Sequence, residues 1–371
     1  MSYELKTIFY NPTYYKRLCD FIEEVYPSFD SKGFTTKIFD EAWDERSLKE
    51  RTRHTTLTLK DFLPPIYPDA LEILKQTATN WLPKSQKGED YSNTIFPDFV
   101  AVFGLEHPDI SIPALAHFTQ LASSEFGVRP YIVRYPKQMM NTMLEWTKHE
   151  NHHIRRLASE GCRSRLPWGM ALTAFKKDAA PILPILEALK TDPERYVQRS
   201  VANNLNDISK DHPELALQMA ERWLQEQNPI TDWIVKHALR GLLKRGNTTA
   251  LQLFNFGSPE KVEISNLAIE NTEIPIGEFT YFSFDLKNNS PKAAKIRLEF
   301  GVDYMKSNGK QNRKIFQISE RIYQPNETAS FRRKQHFKNL TTRKHYAGQH
   351  HLAVVVNGVE KRKVGFDLIF N

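Results

Sequence analysis

Cysteine is scarce in this chain: its 371 residues contain two, Cys19 and Cys162. Two thiols support neither a disulfide framework nor a thiolate zinc site, so a reducing, cytoplasmic setting is expected. No stretch approaches the roughly 18 consecutive apolar residues of a membrane helix, so no membrane-spanning helix is expected. The opening "MSYELKTIFYNPTYYKRL" lacks the apolar centre of a secretory signal. Neither a glycine-rich phosphate loop nor an H-E-x-x-H pair occurs. His149, His152, His153 and His237 are not spaced to meet at one helical face, so no metal and no cofactor is expected.

Charge of one sign is not in great excess either. The formal net charge is +7, with 26% charged and 40% hydrophobic residues, the balance of a soluble globular protein. Its placement is uneven. Gly257 to Asn371 holds 19 Lys+Arg against 12 Asp+Glu, so the entire excess lies there and the first 256 residues are neutral. A basic module beside a neutral one suits a polyanionic partner, although solubility alone accounts for a charge of this size.

The two parts also differ in periodicity. Before residue 256, "YPDALEILKQTATNWL", "SIPALAHFTQLASSEF", "MMNTMLEWTKHE", "APILPILEALKTD" and "ELALQMAERWLQEQ" repeat apolar residues at three and four, the spacing of amphipathic helices. After "FNFGSPE" the pattern alternates. "TYFSFDLKNNS", "KIRLEFGVDYM", "KIFQIS", "TASFRRKQHF" and "HHLAVVVNGVEKRKVGFDLIF" predict antiparallel strands, separated by "NNSP", "SNGK", "QPNE" and "VNGV". Two domains are expected: a helical one over 1–256 and an immunoglobulin-like β-sandwich over 257–371.

An internal repeat runs through the helical part. Ile154–Ser164 aligns with Val197–Asp207 at an offset of 43, pairing Arg156 with Arg199; Ile234–Lys244 follows 37 residues later. Helix pairs with a period near 40 predict a HEAT-like solenoid, and an irregular bundle is the alternative. Residues at i, i+4 and i+8 share a helix side, giving the rows Arg156–Glu160, Arg199–Asn203–Asp207 and Lys236–Arg240–Lys244. Carboxylates set among cations suit a nucleic-acid surface with chemistry at its centre. Ion pairing on a solvated face would give the same pattern. In "RLPW", Pro167 predicts a helix start that puts Trp168 in its first turn, as a core anchor or as a ring offered to a sugar or base. Glu125, in "LASSEFG", is expected at the end of another helix.

These stretches resemble a known family. "NHHIRRLASEGCRSRLPWGMAL" and "ERYVQRSVANNLNDISKDHPELAL" are similar to the HEAT-like-repeat DNA glycosylases that remove alkylated bases. "LKERTRHTTLTLKDFLPPIYPDALEIL" and "FTQLASSEFGVRPYIVRYP" resemble the AlkC branch, so the likeness covers about residues 1–250. The β-domain resembles the immunoglobulin-like extension of some AlkC members, which the shorter AlkD relatives lack. The resemblance implies a DNA glycosylase excising 3-methyladenine and 3-methylcytosine from bent double-stranded DNA, without full insertion of the base into a pocket. It assigns catalytic roles to Asp207, Glu160, Glu125 and Trp168. AlkD members carry a tryptophan four residues before their catalytic aspartate, where this chain has Asn203, so the aromatic role falls to Trp168.

A base alkylated on a ring nitrogen is already positive and leaves without a strong acid. What needs stabilising is the oxocarbenium-like sugar, by carboxylates and an indole face. Phosphate contacts are expected from Arg156, Arg163, Arg165, Arg199, Asn203, Lys236, Arg240 and Lys244. Arg332, Arg333, Arg343 and Lys344 of the β-domain are expected to complete a clamp, with His345 and Tyr346 on a loop that enters a groove. A monomer in the bacterial cytoplasm, at the nucleoid when bound to DNA, is expected. The rival reading is a non-catalytic HEAT-repeat scaffold that binds DNA or protein, because fold alone does not decide function.

Overall fold

Apolar residues at helical spacing become buried seams. In the helix His152–Gly161, Ile154, Leu157, Ala158 and Gly161 turn inward; in Arg195–Asp211, Val197, Val201, Leu205 and Ile208 do the same. A computed structural model describes residues 2–86, 91–340 and 343–370, with side chains from Lys6 onward. Its helical unit runs to Ala238. There the chain folds into helix pairs: Pro136–Trp146 with His152–Gly161, Leu183–Leu189 with Arg195–Asp211, and Pro213–Gln225 with Pro229–Ala238. The second helices stack in series, His152–Gly161 on Arg195–Asp211 and that on Pro229–Ala238. This is the HEAT-like arrangement that the repeat predicts. Gly161 permits a close approach to the segment before Arg129–Arg134, since a Cβ there would lie 2.6 Å from Val128 Cγ2.

Three local expectations fail. The helix Pro108–Phe118 ends before "LASSEFG", so Glu125 lies in a turn ahead of the helix Arg129–Arg134. No helix starts at Trp168; the next one is Thr173–Lys177. The third cationic row is broken, because Pro229–Ala238 stops and a separate short helix, Arg240–Lys244, follows.

The second unit spans Leu239–Asn371 and therefore starts ahead of the expected boundary at 256. Its helices Arg240–Lys244 and Thr248–Leu253 precede eight strands: β1 Val262–Ile269, β2 Glu273–Pro275, β3 Phe279–Asn288, β4 Ala294–Met305, β5 Gln311–Tyr323, β6 Thr328–His336, β7 Gly348–Val356 and β8 Val359–Ile369. They form a sheet β1-β3-β6 and a sheet β2-β8-β7-β4-β5, antiparallel except where β2 runs parallel to β8. β1 and the short β2 are not among the strands expected from the sequence. Phe282, Phe284, Leu286, Leu298, Phe300, Val302, Val354 and Phe366 fill the space between the sheets. Asn357 and Gly358, with φ 48° and 77°, make the tight β7–β8 turn of "VNGV". The helical segment joins this unit through close backbone approach: a Cβ on Gly358 would meet Gly246 Cα at 2.0 Å.

Candidate active site

Burial forces charged groups to pair, and the second helices show how. The Arg163 Nη1 donates to Glu160 Oε1 at 2.6 Å, and its Nε donates to Asp207 Oδ2 at 2.8 Å. Lys210 Nζ donates to the other Asp207 oxygen at 2.8 Å. On the far side of Glu160, Arg156 lies 3.5 Å from the same Oε1 and 2.5 Å from Glu125 Oε2. Arg156 Nη1 also donates to Ser123 Oγ at 2.7 Å, and the Ser123 hydroxyl donates to Glu125 at 3.0 Å. The result is a continuous chain of alternating charge: Glu125, Arg156, Glu160, Arg163, Asp207, Lys210. Its carboxylates grade in exposure, from side chains 17% exposed at Glu125 to 7% at Glu160 and 1% at Asp207. Unpaired, groups this deep would be costly, and each cation ties its neighbours in place.

Trp168 lines the same cleft as Glu125 and Arg156. It is 67% exposed and adopts φ 64°, the left-handed region that a bulky residue rarely enters. The backbone around it is tied down. Gly169 N–H donates to the Leu166 carbonyl, and Leu172 N–H to that of Ser164. Lys49 Nζ donates to the Trp168 carbonyl. The Arg129 guanidinium links the Gly161 carbonyl (2.9 Å) to that of Met170 (2.5 Å), and its burial pulls its pKa down to about 10. Trp168 lines two cavities. One, of about 560 Å³, is lined by Tyr91, Glu125, Arg156, Trp168 and Tyr196; the other, of about 270 Å³, lies between Lys49, Phe126 and Trp168. Glu125 is thus the carboxylate at the cleft wall, with Glu160 and Asp207 behind it. Tyr196, with the Arg156 guanidinium 4.8 Å from its ring, joins the cleft from the next repeat.

Several expected phosphate contacts are spent elsewhere. Arg156 and Arg163 point inward at carboxylates, and Arg165 pairs with Asp211, its Nε 3.0 Å from Oδ2. Arg199 and Lys236 are exposed, and Asn203 is half-buried. Within the second unit Lys244 is exposed and Arg240 half-buried. In the β-domain Arg332 pairs with Glu270 at 2.7 Å. Arg343 Nη1 donates to Tyr304 Oη at 3.2 Å, while Arg333 and Lys344 are exposed. His345 is not offered to a groove: it is buried against Tyr304 and Phe337, and Tyr346 is half-buried. Part of that loop, Thr341 and Thr342, lies outside the described residues. Lys49, Ser123, Tyr196 and Lys210 were missed. Of these only Lys210, three residues after Asp207, left a signal in the sequence.

Known proteins are similar to this chain in sequence and fold. Residues 122–242, which include Glu125, Arg156, Glu160, Trp168 and Asp207, match the family described as DNA alkylation repair enzyme. A Bacillus subtilis (strain 168) protein, "Uncharacterized protein YhaZ", is 44% identical over 98% of this chain and 99% of its own. The Pseudomonas fluorescens alkylpurine DNA glycosylase AlkC, solved bound to DNA containing an abasic-site analogue, is 36% identical over 98% of this chain and 99% of its own, with a TM-score of 0.90. This chain belongs to the AlkC branch of the DNA alkylation repair enzymes. Residues 263–370 match the immunoglobulin-like domain at the C-terminus of YhaZ. Among the described residues no helix of this AlkC-type chain is long and apolar enough to cross a membrane.

Proposed function

We propose that the chain excises cationic N-alkylated bases, 3-methyladenine and 3-methylcytosine, from duplex DNA by hydrolysing the N-glycosidic bond. The observation that carries this reading is the graded carboxylate chain opening on the cleft that Trp168 lines. A cationic base is its own leaving group, so the site has no need of a strong general acid. As the bond stretches, positive charge grows at the sugar. Glu125 at the cleft wall, backed by Glu160 and Asp207, favours that charge electrostatically and orients the attacking water. The indole face adds about 0.5–2 kcal/mol of attraction for the cation. The base leaves without full insertion into a pocket.

Because Arg156 and Arg163 hold the carboxylates, the grip on phosphates falls to the exposed cations, Arg199 and Lys236 of the helical unit, Lys244, and Arg333 and Lys344 of the β-domain. The helical domain carries the chemistry and the β-domain closes on the DNA as a clamp. The enzyme works as a monomer, in the cytoplasm, on the nucleoid. A non-catalytic scaffold would have no use for three buried or half-buried carboxylates beside a strained, exposed tryptophan. An end-labelled duplex carrying one 3-methylcytosine tests the reading. The protein should convert that position to an abasic site that breaks in hot alkali, and an intact strand after many enzyme equivalents would refute it.

A further inference from the structure

The outer face of the β1-β3-β6 sheet carries side chains that the repair reading leaves unused. β3 and β6 pair with Phe279 opposite His336, Tyr281 opposite Lys334 and Ser283 opposite Arg332, so these six share one face. Their neighbours Phe282 and Phe284 fill the core on the other side. Phe279 is 38% exposed, and its ring lies 5.7 Å from that of Tyr281. Each ring carries a cation. Lys334 Nζ sits 3.4 Å from the Phe279 centroid, and the Arg332 guanidinium 3.8 Å from that of Tyr281. The His336 ring lies 5.5 Å from Phe279. β6 is an edge strand, and from Phe331 to His336 it holds no acid.

The acids near this face are weak competitors. Glu270 pairs with Arg332 in solvent, where such a pair contributes little. Asp285 is occupied by Ser330 (2.5 Å) and Asn266 (2.7 Å). An exposed and a half-buried ring interleaved with cations, in the unit that holds the whole charge excess, match a polyanion that also offers flat faces. A nucleic acid does both, and an acidic peptide only the first. Alternate residues of a strand stand about 6.8 Å apart, twice the roughly 3.4 Å rise of stacked bases. The two ring–cation stacks therefore suit successive bases that have been drawn apart, and a duplex keeps its base faces hidden.

We propose that this face binds single-stranded DNA, with successive bases on the Phe279–Lys334 and Tyr281–Arg332 stacks and the phosphates on Lys334 and Arg332. The inference goes beyond the glycosylase reading and does not rest on it. The test uses the full-length protein and two fluorescein-labelled probes, a (dT)20 strand and an undamaged 20-base-pair duplex, followed by anisotropy. Phe279→Ala with Tyr281→Ala should weaken (dT)20 binding by tenfold or more, since stacking contributes about 1–3 kcal/mol per base. Duplex binding and excision from duplex should be unchanged. Lys334→Gln, which leaves both rings in place, should shrink the salt dependence of (dT)20 binding by about 0.7 in log K against log[salt]. Equal (dT)20 affinity in wild type and double variant would overturn the proposal. So would an equal loss on both probes, which would assign the face to duplex, or full displacement of (dT)20 by a poly-glutamate peptide at matched charge.

Discussion

Arg163 and Asp207 lie 44 positions apart in sequence, yet the Arg163 Nε and Nη2 both reach Asp207 Oδ2 at 2.8 Å. The pair locks the segment after one repeat helix to the middle of the next, and Glu160 shares the same guanidinium. Removing one partner of a buried pair costs about 3–5 kcal/mol when the other is left charged and alone; here Lys210 still holds Asp207 and Arg156 still holds Glu160. Arg163→Ala should therefore lower the urea-unfolding free energy by somewhat less, about 2–3 kcal/mol. If Arg163 were a phosphate contact instead, stability would hold and only DNA affinity would fall.

The carboxylates themselves should matter for rate more than for binding. Glu125→Gln, Glu160→Gln and Asp207→Asn keep shape and remove charge. Each should slow single-turnover excision by about 10²–10³-fold while DNA affinity stays within a few-fold. Near-wild-type rates in all three would dismiss the site.

Trp168 offers a test in which stability and activity move apart. Its left-handed backbone costs about 1–2 kcal/mol in a residue with a side chain, and its exposed ring buries little. Trp168→Gly should leave the melting temperature unchanged or raise it, for a gain of up to about 1 kcal/mol. The same change should cut excision at least tenfold, given a stacking contribution of about 1–3 kcal/mol. A destabilised but fully active variant would make Trp168 a structural anchor.

The β-domain should soften in acid. Burial, with Arg343 alongside and His350 and Lys314 nearby, pulls the His345 pKa down to about 4, against about 6.5 in the unfolded chain. The folded state thus prefers the neutral ring. Its stabilising contribution, up to about 3 kcal/mol, is present above pH 6.5 and is lost as pH falls towards 4. Burial lowers the His350 pKa as well, in the same direction. Urea midpoints followed by near-ultraviolet dichroism should fall between pH 6.5 and 4, and fall less in His345→Gln. Parallel pH profiles would show that His345 does not carry the effect.

How much was legible in the sequence differs from residue to residue. The 43-residue offset placed Arg156 and Arg199 on helices that do stack, because an apolar seam must recur to bury each pair. Asn357-Gly358 announced its turn, since both residues tolerate positive φ. Trp168 did not: nothing in "RLPW" signals a left-handed tryptophan, a conformation sequence reserves for Gly and Asn. The inward aim of Arg156 and Arg163 was also hidden. An arginine beside a carboxylate reads the same whether it pairs inward or faces a phosphate, and only tertiary packing decides. Ser123 and Lys49 act on residues 33 and 119 positions away, beyond any local pattern.

Release of alkylated bases from DNA can be measured directly. Methylated duplex DNA, incubated with the purified protein and then filtered, should yield free 3-methyladenine and 3-methylcytosine by chromatography, at a rate that scales with enzyme and collapses in a Glu125→Gln, Glu160→Gln, Asp207→Asn triple variant that still binds duplex. Equal release by wild type, triple variant and buffer alone would contradict the account.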